Sequence, residues 1–124
     1  MKELRILIVD DNRLFRETVK ESLQTSFPTG TIDEAADGRE ALQELDTLFP
    51  DLIFMDIKMP GENGLELTKK IKANHPNIII FIMTSYNTPE YREAAFKYGA
   101  DRFFEKDSLN FTELKELVRS YAKA

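Results

Sequence analysis

Three short apolar runs, at residues 4–9, 52–55 and 78–83, stand out from a chain that otherwise mixes polar and apolar positions. Each has the length of a strand, and the first and third are rich in β-branched residues. Weaker strand candidates, at 31–35 and 102–104, are interleaved with charge. Between the runs the apolar positions change period. Phe15, Val19 and Leu23 repeat every four residues, and Ala41, Leu45 and Leu48 follow the spacing of one helical face. Leu114, Leu117, Val118 and Tyr121 form a similar stripe, while Leu67 with Ile71, and Ala94, Ala95 and Tyr98, mark two further helices. Boundary residues agree with these helices. Asp37 followed by Glu40 reads as a capping box, Thr88-Pro89 as N-cap and first helical residue, and Gly99 as a C-terminal stop.

Strand and helix therefore alternate five times, which predicts a parallel sheet with helices on both faces. Strands covered on both faces read as unbroken apolar runs. The first, third and fourth strands should thus lie inside, and the second and fifth, carrying Asp33, Glu34, Arg102 and Glu105, at the edges. The implied order is 2-1-3-4-5, the known flavodoxin-like doubly wound (βα)5 arrangement and not a new topology. No second apolar core or linker interrupts the pattern, so residues 1–124 are expected to form a single domain.

Composition narrows the chemistry. The absence of cysteine removes thiol catalysis, thiolate metal sites and disulfides, and fits a cytoplasmic setting. A formal charge of −5 argues against a nucleic-acid grip by this domain. The longest apolar run, 78–83, is too short to cross a bilayer, so no membrane association is expected.

In an open sheet of this kind, ligands sit beyond the carboxyl ends of the strands, where the winding reverses. The residues there are Asp10 and Asp11 after strand one, Asp56 after strand three, Thr84 at strand four and Lys106 after strand five. Strand two ends in Ala35-Ala36 and offers the crevice nothing. Taken singly, each has a plain explanation: a helix cap, the start of a turn, a turn hydroxyl, a solvated lysine. Together they converge on one edge of the sheet, as functional groups do. Crowded carboxylates repel, so one takes up a proton or a cation sits among them. With only oxygen donors nearby the cation should be hard, Mg2+ (or Mn2+), leaving positions for water and phosphate oxygens. A carboxylate can then act as nucleophile toward phosphorus. Asp56 is the candidate, as the lone acid ending a buried central strand and leading into the Gly/Pro loop 59–64. Lys106 would supply compact positive charge and Thr84 a hydroxyl donor.

These residues resemble the response-regulator receiver (CheY-like) domains of two-component signalling. The likeness rests on Asp10-Asp11, the run Met55-Asp56-Ile57-Lys58-Met59-Pro60-Gly61-Glu62-Asn63-Gly64, Thr84-Ser85, and Lys106 after Gly99-Ala100-Asp101. The resemblance implies that Asp56 is phosphorylated from a sensor histidine kinase or phosphotransfer protein. It implies that Mg2+ is held by Asp10, Asp11, Asp56 and the Lys58 backbone carbonyl. Thr84 and Lys106 would hold the phosphoryl oxygens, and Thr84 and Phe103 would move together as a switch toward an output domain or protein. It also suggests a homodimer face on helix four, strand five and helix five.

Two departures stand out. Asp107 follows the lysine where the family often has proline, so a trans bond and a different loop are expected. Phe103 stands where tyrosine is common, removing a hydroxyl that would lock its position. Lys58 and Tyr86, each two residues past a site residue, are expected to set the lifetime of the acyl phosphate. An aspartyl-phosphate phosphatase is the enzymatic rival, but Lys58 occupies the place of its usual second acid. A flavin-binding module is a third reading, disfavoured by acids after strand one. His75, the only histidine, is expected in a loop away from the crevice, and Lys-Asp at 106–107 also looks like receivers cut from longer DNA-binding transcriptional regulators.

Overall fold

A computed structural model describes residues 3–122, and the expected alternation is realised in full. The elements run β1 (Arg5–Val9), α1 (Arg13–Ser26), β2 (Thr31–Ala35), α2 (Gly38–Leu48), β3 (Leu52–Met55), α3 (Gly64–Asn74), β4 (Ile79–Thr84), α4 (Pro89–Lys97), β5 (Arg102–Glu105), a 3-10 turn (Lys106–Ser108) and α5 (Phe111–Ala122). The strands are parallel and ordered β2-β1-β3-β4-β5, with the charged strands at the edges as composition required.

The alternation of side chains along a strand divides the interior into two layers. Leu7, Val9, Ile53, Met55, Ile80 and Ile82 point to one face and pack with Ala41, Leu45, Leu67, Ile71 and Ala95 of α2, α3 and α4. Ile6, Ile8, Leu52, Phe54, Phe81 and Met83 point to the other, against Val19 and Leu23 of α1 and Leu114 and Val118 of α5. Phe81 is fully buried there, its ring 5.6 Å from Phe54 and 5.5 Å from both Phe104 and Tyr121. Burial of one such side chain stabilises the fold by about 2–3 kcal/mol.

The helix ends follow the sequence signals. The Asn12 side chain accepts from the Phe15 N–H to start α1. Asp37 accepts from Glu40, whose own carboxylate accepts from the Ala36 N–H. Thr88 caps α4 with Pro89 behind it, and Gly99 leaves that helix at φ 108°, a left-handed value glycine adopts without strain. After β5 the chain passes straight into the 3-10 turn through trans peptide bonds, as Asp107 in place of proline led one to expect.

Below the site an ion pair ties α3 to the strands beside it. Lys72 of α3 reaches Asp101 at 2.9 Å, and the same carboxylate oxygen accepts from the Ile80 N–H at 2.9 Å.

Candidate functional site

The register of the two central strands brings the acids together. Val9 pairs with Met55, so the next residues, Asp10 and Asp56, leave the sheet side by side. Their backbones remain anchored: the Asp56 N–H donates to the Val9 carbonyl (2.9 Å) and the Asp10 N–H to the Ala35 carbonyl (3.0 Å). The loop after β3 then folds back closely. A Cβ at Gly64 would lie 1.8 Å from the Asp56 carbonyl oxygen, so only glycine allows α3 to begin there. The Gly64 N–H closes the loop by donating to the Ile57 carbonyl at 2.8 Å.

Asp10 and Asp56 are buried, 2% and 5% exposed, and Asp11 is exposed. One carboxylate oxygen from each of the three lies within 4.8 Å of the others. Lys106 turns in from the end of β5, its Nζ 2.6 Å from Asp10 and 3.5 Å from Asp56 and 4.5 Å from the centre of the Phe15 ring. The Asn12 N–H donates to Asp10 (2.8 Å) and the Ile57 N–H to Asp56 (2.9 Å).

These contacts do not balance the charge. Burial above all, then the Asp10 carboxylate and, least, Asp11, raise the Asp56 pKa from 3.8 to about 6, against the opposing pull of Lys106 and the Ile57 N–H. Three acids facing one ammonium leave an excess of two negative charges when all are ionised. An all-oxygen donor set with that excess fits a hard divalent cation such as Mg2+.

Above the acids opens a crevice of about 480 Å3, lined by Asp11, Asp56, Lys58, Ser85, Tyr86 and Lys106 among others. The Lys58 ammonium lies 4.5 Å from the Tyr86 ring centre and 5.8 Å from that of Tyr91. Thr84 is not among the lining residues. It is fully buried, its hydroxyl accepting from the Tyr86 N–H at 3.0 Å. Phe103 is also buried, with the Arg92 guanidinium 5.4 Å from its ring.

The expected set therefore splits. Asp10, Asp11 and Asp56 are in mutual reach with Lys106 against the first and last of them, Lys58 and Tyr86 share the rim, and Thr84 and Phe103 sit inward of it. Sequence reasoning gave no task to Ser85, which lines the crevice, or to Arg16, which donates to the Asp10 carbonyl from α1. Ser85 was findable as the neighbour of Thr84 in the same motif; Arg16 carries no local signal. His75 ends α3 and lines a separate cavity of about 510 Å3, shared with Pro50 and Tyr121.

Comparisons with known proteins bear on the family and the fold. The family model described as "Response regulator receiver domain" matches residues 6–119. The chain is 38% identical to the transcriptional regulatory protein YdfI of Bacillus subtilis, over 87% of this chain and 50% of that protein. It is 37% identical to a protein-glutamate methylesterase/protein-glutamine glutaminase of Geobacillus kaustophilus, over 87% of this chain and 31% of that one. It thus spans half or less of the length of these two relatives. Among solved structures, the signal receiver domain of a DNA binding response regulator from Colwellia psychrerythraea superposes with a TM-score of 0.93 at 29% identity, covering 98% of this chain and all of the other. Chemotaxis protein CheY4 of Vibrio cholerae gives 0.85 at 27%, covering 97% and 99%.

Proposed function

Because the chain belongs to the response regulator receiver domain family, a family of signalling switches, we propose that Asp56 accepts a phosphoryl group from a phosphohistidine. The donor would be a sensor histidine kinase or phosphotransfer protein. The observation carrying this reading is the buried Asp56 carboxylate, flanked by Asp10, Asp11 and Lys106 at the floor of an open crevice.

An Asp56 Oδ forms the new bond to phosphorus while the P–N bond breaks. The electron pair returns to the imidazole nitrogen, which takes up a proton, and the product is an acyl phosphate. With a pKa of about 6, Asp56 is mostly ionised at neutral pH, as attack requires. Phosphoryl transfer asks for positioning and charge neutralisation more than for covalent assistance. A Mg2+ held by Asp10, Asp11, Asp56 and the Lys58 carbonyl would supply part of the positive charge, and the Lys106 ammonium the rest.

Acceptance would be read out through Thr84. Its hydroxyl accepts from the Tyr86 N–H and keeps its own proton to donate; a shift toward a phosphoryl oxygen would vacate space toward which Phe103 can move. Lys58 and Tyr86, stacked at the rim, would govern the approach of water and so the lifetime. Exchanging both should change the dephosphorylation rate severalfold, and an unaltered rate would remove them from that role.

A second reading concerns the whole protein: these residues are the receiver part of a longer DNA-binding transcriptional regulator. Its support is that relatives such as YdfI are named transcriptional regulatory proteins and are twice the length matched.

Incubation with a small acyl-phosphate donor and Mg2+, followed by intact mass, tests the main reading. One phosphoryl adduct is expected, lost on chelation and absent in Asp56→Ala. No adduct on the parent protein would overturn it.

A further inference from the structure

The three acids are not equally well held. Asp10 is fixed by Lys106 and the Asn12 N–H, and Asp56 by Lys106 and the Ile57 N–H. Asp11 is exposed, and among the described residues no group hydrogen-bonds its carboxylate. What places it is therefore its backbone, which fixes the position and bearing of its Cβ, and the peptide that carries it begins at the Asp10 carbonyl.

That carbonyl has a charged partner. Arg16, from the first turns of α1 and only 14% exposed in its side chain, donates from one terminal nitrogen to the Asp10 oxygen at 2.6 Å. Its Nε simultaneously donates to Glu34 of β2 at 2.9 Å, and Lys20 approaches the other oxygen of Glu34 at 3.7 Å. One planar guanidinium thus bridges the edge strand and the turn bearing the acid pair, using two donors whose relative geometry is rigid. A hydrogen bond from a charged donor is worth about 1.5–3 kcal/mol, enough to hold a peptide plane against rotation.

Resting on the function proposed above, we propose that Arg16, steadied by Glu34, is a positioning residue for the divalent cation. It locks the Asp10–Asp11 peptide so that the otherwise unsupported Asp11 carboxylate faces Asp56. Edge strand β2, which lends no side chain to the crevice, acts on it at one remove.

Positioning and simple electrostatics predict opposite signs. Removing the positive charge of Arg16 leaves the surroundings more negative, which by Coulomb attraction alone tightens cation binding. Losing the brace loosens Asp11 and weakens it. Mg2+ demands near-ideal octahedral ligands, whereas Ca2+ tolerates irregular ones, so the loss should fall mainly on Mg2+.

Calorimetric titration of the metal-free chain with MgCl2 and, separately, CaCl2 decides the matter for Arg16→Met and Arg16→Lys. Arg16→Met should weaken Mg2+ binding by about tenfold, in the range for a lost outer-shell partner, and Ca2+ binding by less than about twofold. Arg16→Lys, which keeps the charge but not the fork, should fall between parent and Arg16→Met. Equal or tighter Mg2+ binding by the variants overturns the proposal, as does an equal loss for both ions, the mark of general loosening. Should Arg16→Met fail to fold, Arg16→Lys must still lose more Mg2+ than Ca2+ affinity. A parent chain that binds no Mg2+ would instead overturn the function on which this inference rests.

Discussion

Two largely buried lysines of this protein each reach an aspartate at salt-bridge distance, and only one of them builds a reactive site. Lys72 lies 2.9 Å from Asp101 and is 15% exposed; Lys106 lies 2.6 Å from Asp10 and is 12% exposed. The difference is in the count of charges. Asp101 meets one ammonium and also accepts from the Ile80 N–H, so the pair is balanced and serves to tie α3 to the strands beside it. Lys106 faces Asp10 and Asp56 with Asp11 beside them, and Asp56 remains hard to ionise in spite of it. Distance and the burial of the lysine do not separate a structural ion pair from a reactive one here. The uncompensated charge does.

Exchanging each lysine should break the likeness between them, with the largest effect at Lys106. Lys106→Met removes the only ammonium among the described residues in contact with Asp10 and Asp56, and phosphoryl acceptance should fall about 10²-fold, as when one donor to a developing charge is lost. An acyl-phosphate time course with Mg2+ measures it, and a rate within about twofold of the parent would contradict the role.

Removing the excess charge itself should give the next effect, on stability. Between pH 3.8 and about 6 the folded chain retains a proton on Asp56 that the unfolded chain has released. Protons bound in the native state then exceed those bound in the unfolded state, so stability falls as pH rises through that window. Ionised Asp56 thus costs on the order of 2–3 kcal/mol at neutral pH. Asp56→Asn should be more stable than the parent by about 2 kcal/mol in chelator at pH 7, with the gap closing near pH 4 and on adding Mg2+ to the parent. Denaturant unfolding at both pH values checks the sign.

The balanced pair should respond least and in the opposite sense. Lys72→Met leaves Asp101 half-satisfied by the Ile80 N–H and should lower stability by about 1–2 kcal/mol. Adduct formation should stay within about twofold of the parent, because Asp101 takes no part in the crevice. A large loss of phosphoryl acceptance in Lys72→Met would erase the distinction between the two lysines.

Much of this arrangement was legible before any coordinates. The unbroken apolar runs identified the inner strands, and charge in 31–35 and 102–104 marked the edges, because a covered strand cannot carry unpaired charge. Once the order was set, Asp10, Asp56 and Lys106 had to emerge at one end of the sheet, since each immediately follows a strand. β4 begins one residue later than the apolar run, at Ile79, because Ile78 still belongs to the turn from α3. Contacts between distant positions were not legible. Arg16 meets Glu34 across 18 residues and Lys72 meets Asp101 across 29, and no periodicity encodes either. The inward turn of the Thr84 hydroxyl depends on the Tyr86 N–H, a backbone detail that residue types do not specify. Gly64 was visible as part of the Gly/Pro loop 59–64, but its actual constraint is the closeness of the Asp56 carbonyl, which appears only when α3 is packed.

The excess of negative charge around Asp56 is measured most directly by following its side-chain carboxyl carbon by NMR across pH, in chelator and then with saturating Mg2+. Without metal the midpoint should lie near 6, and Mg2+ should move it well down. A metal-free midpoint at or below the ordinary 3.8, or one indifferent to Mg2+, would contradict the account.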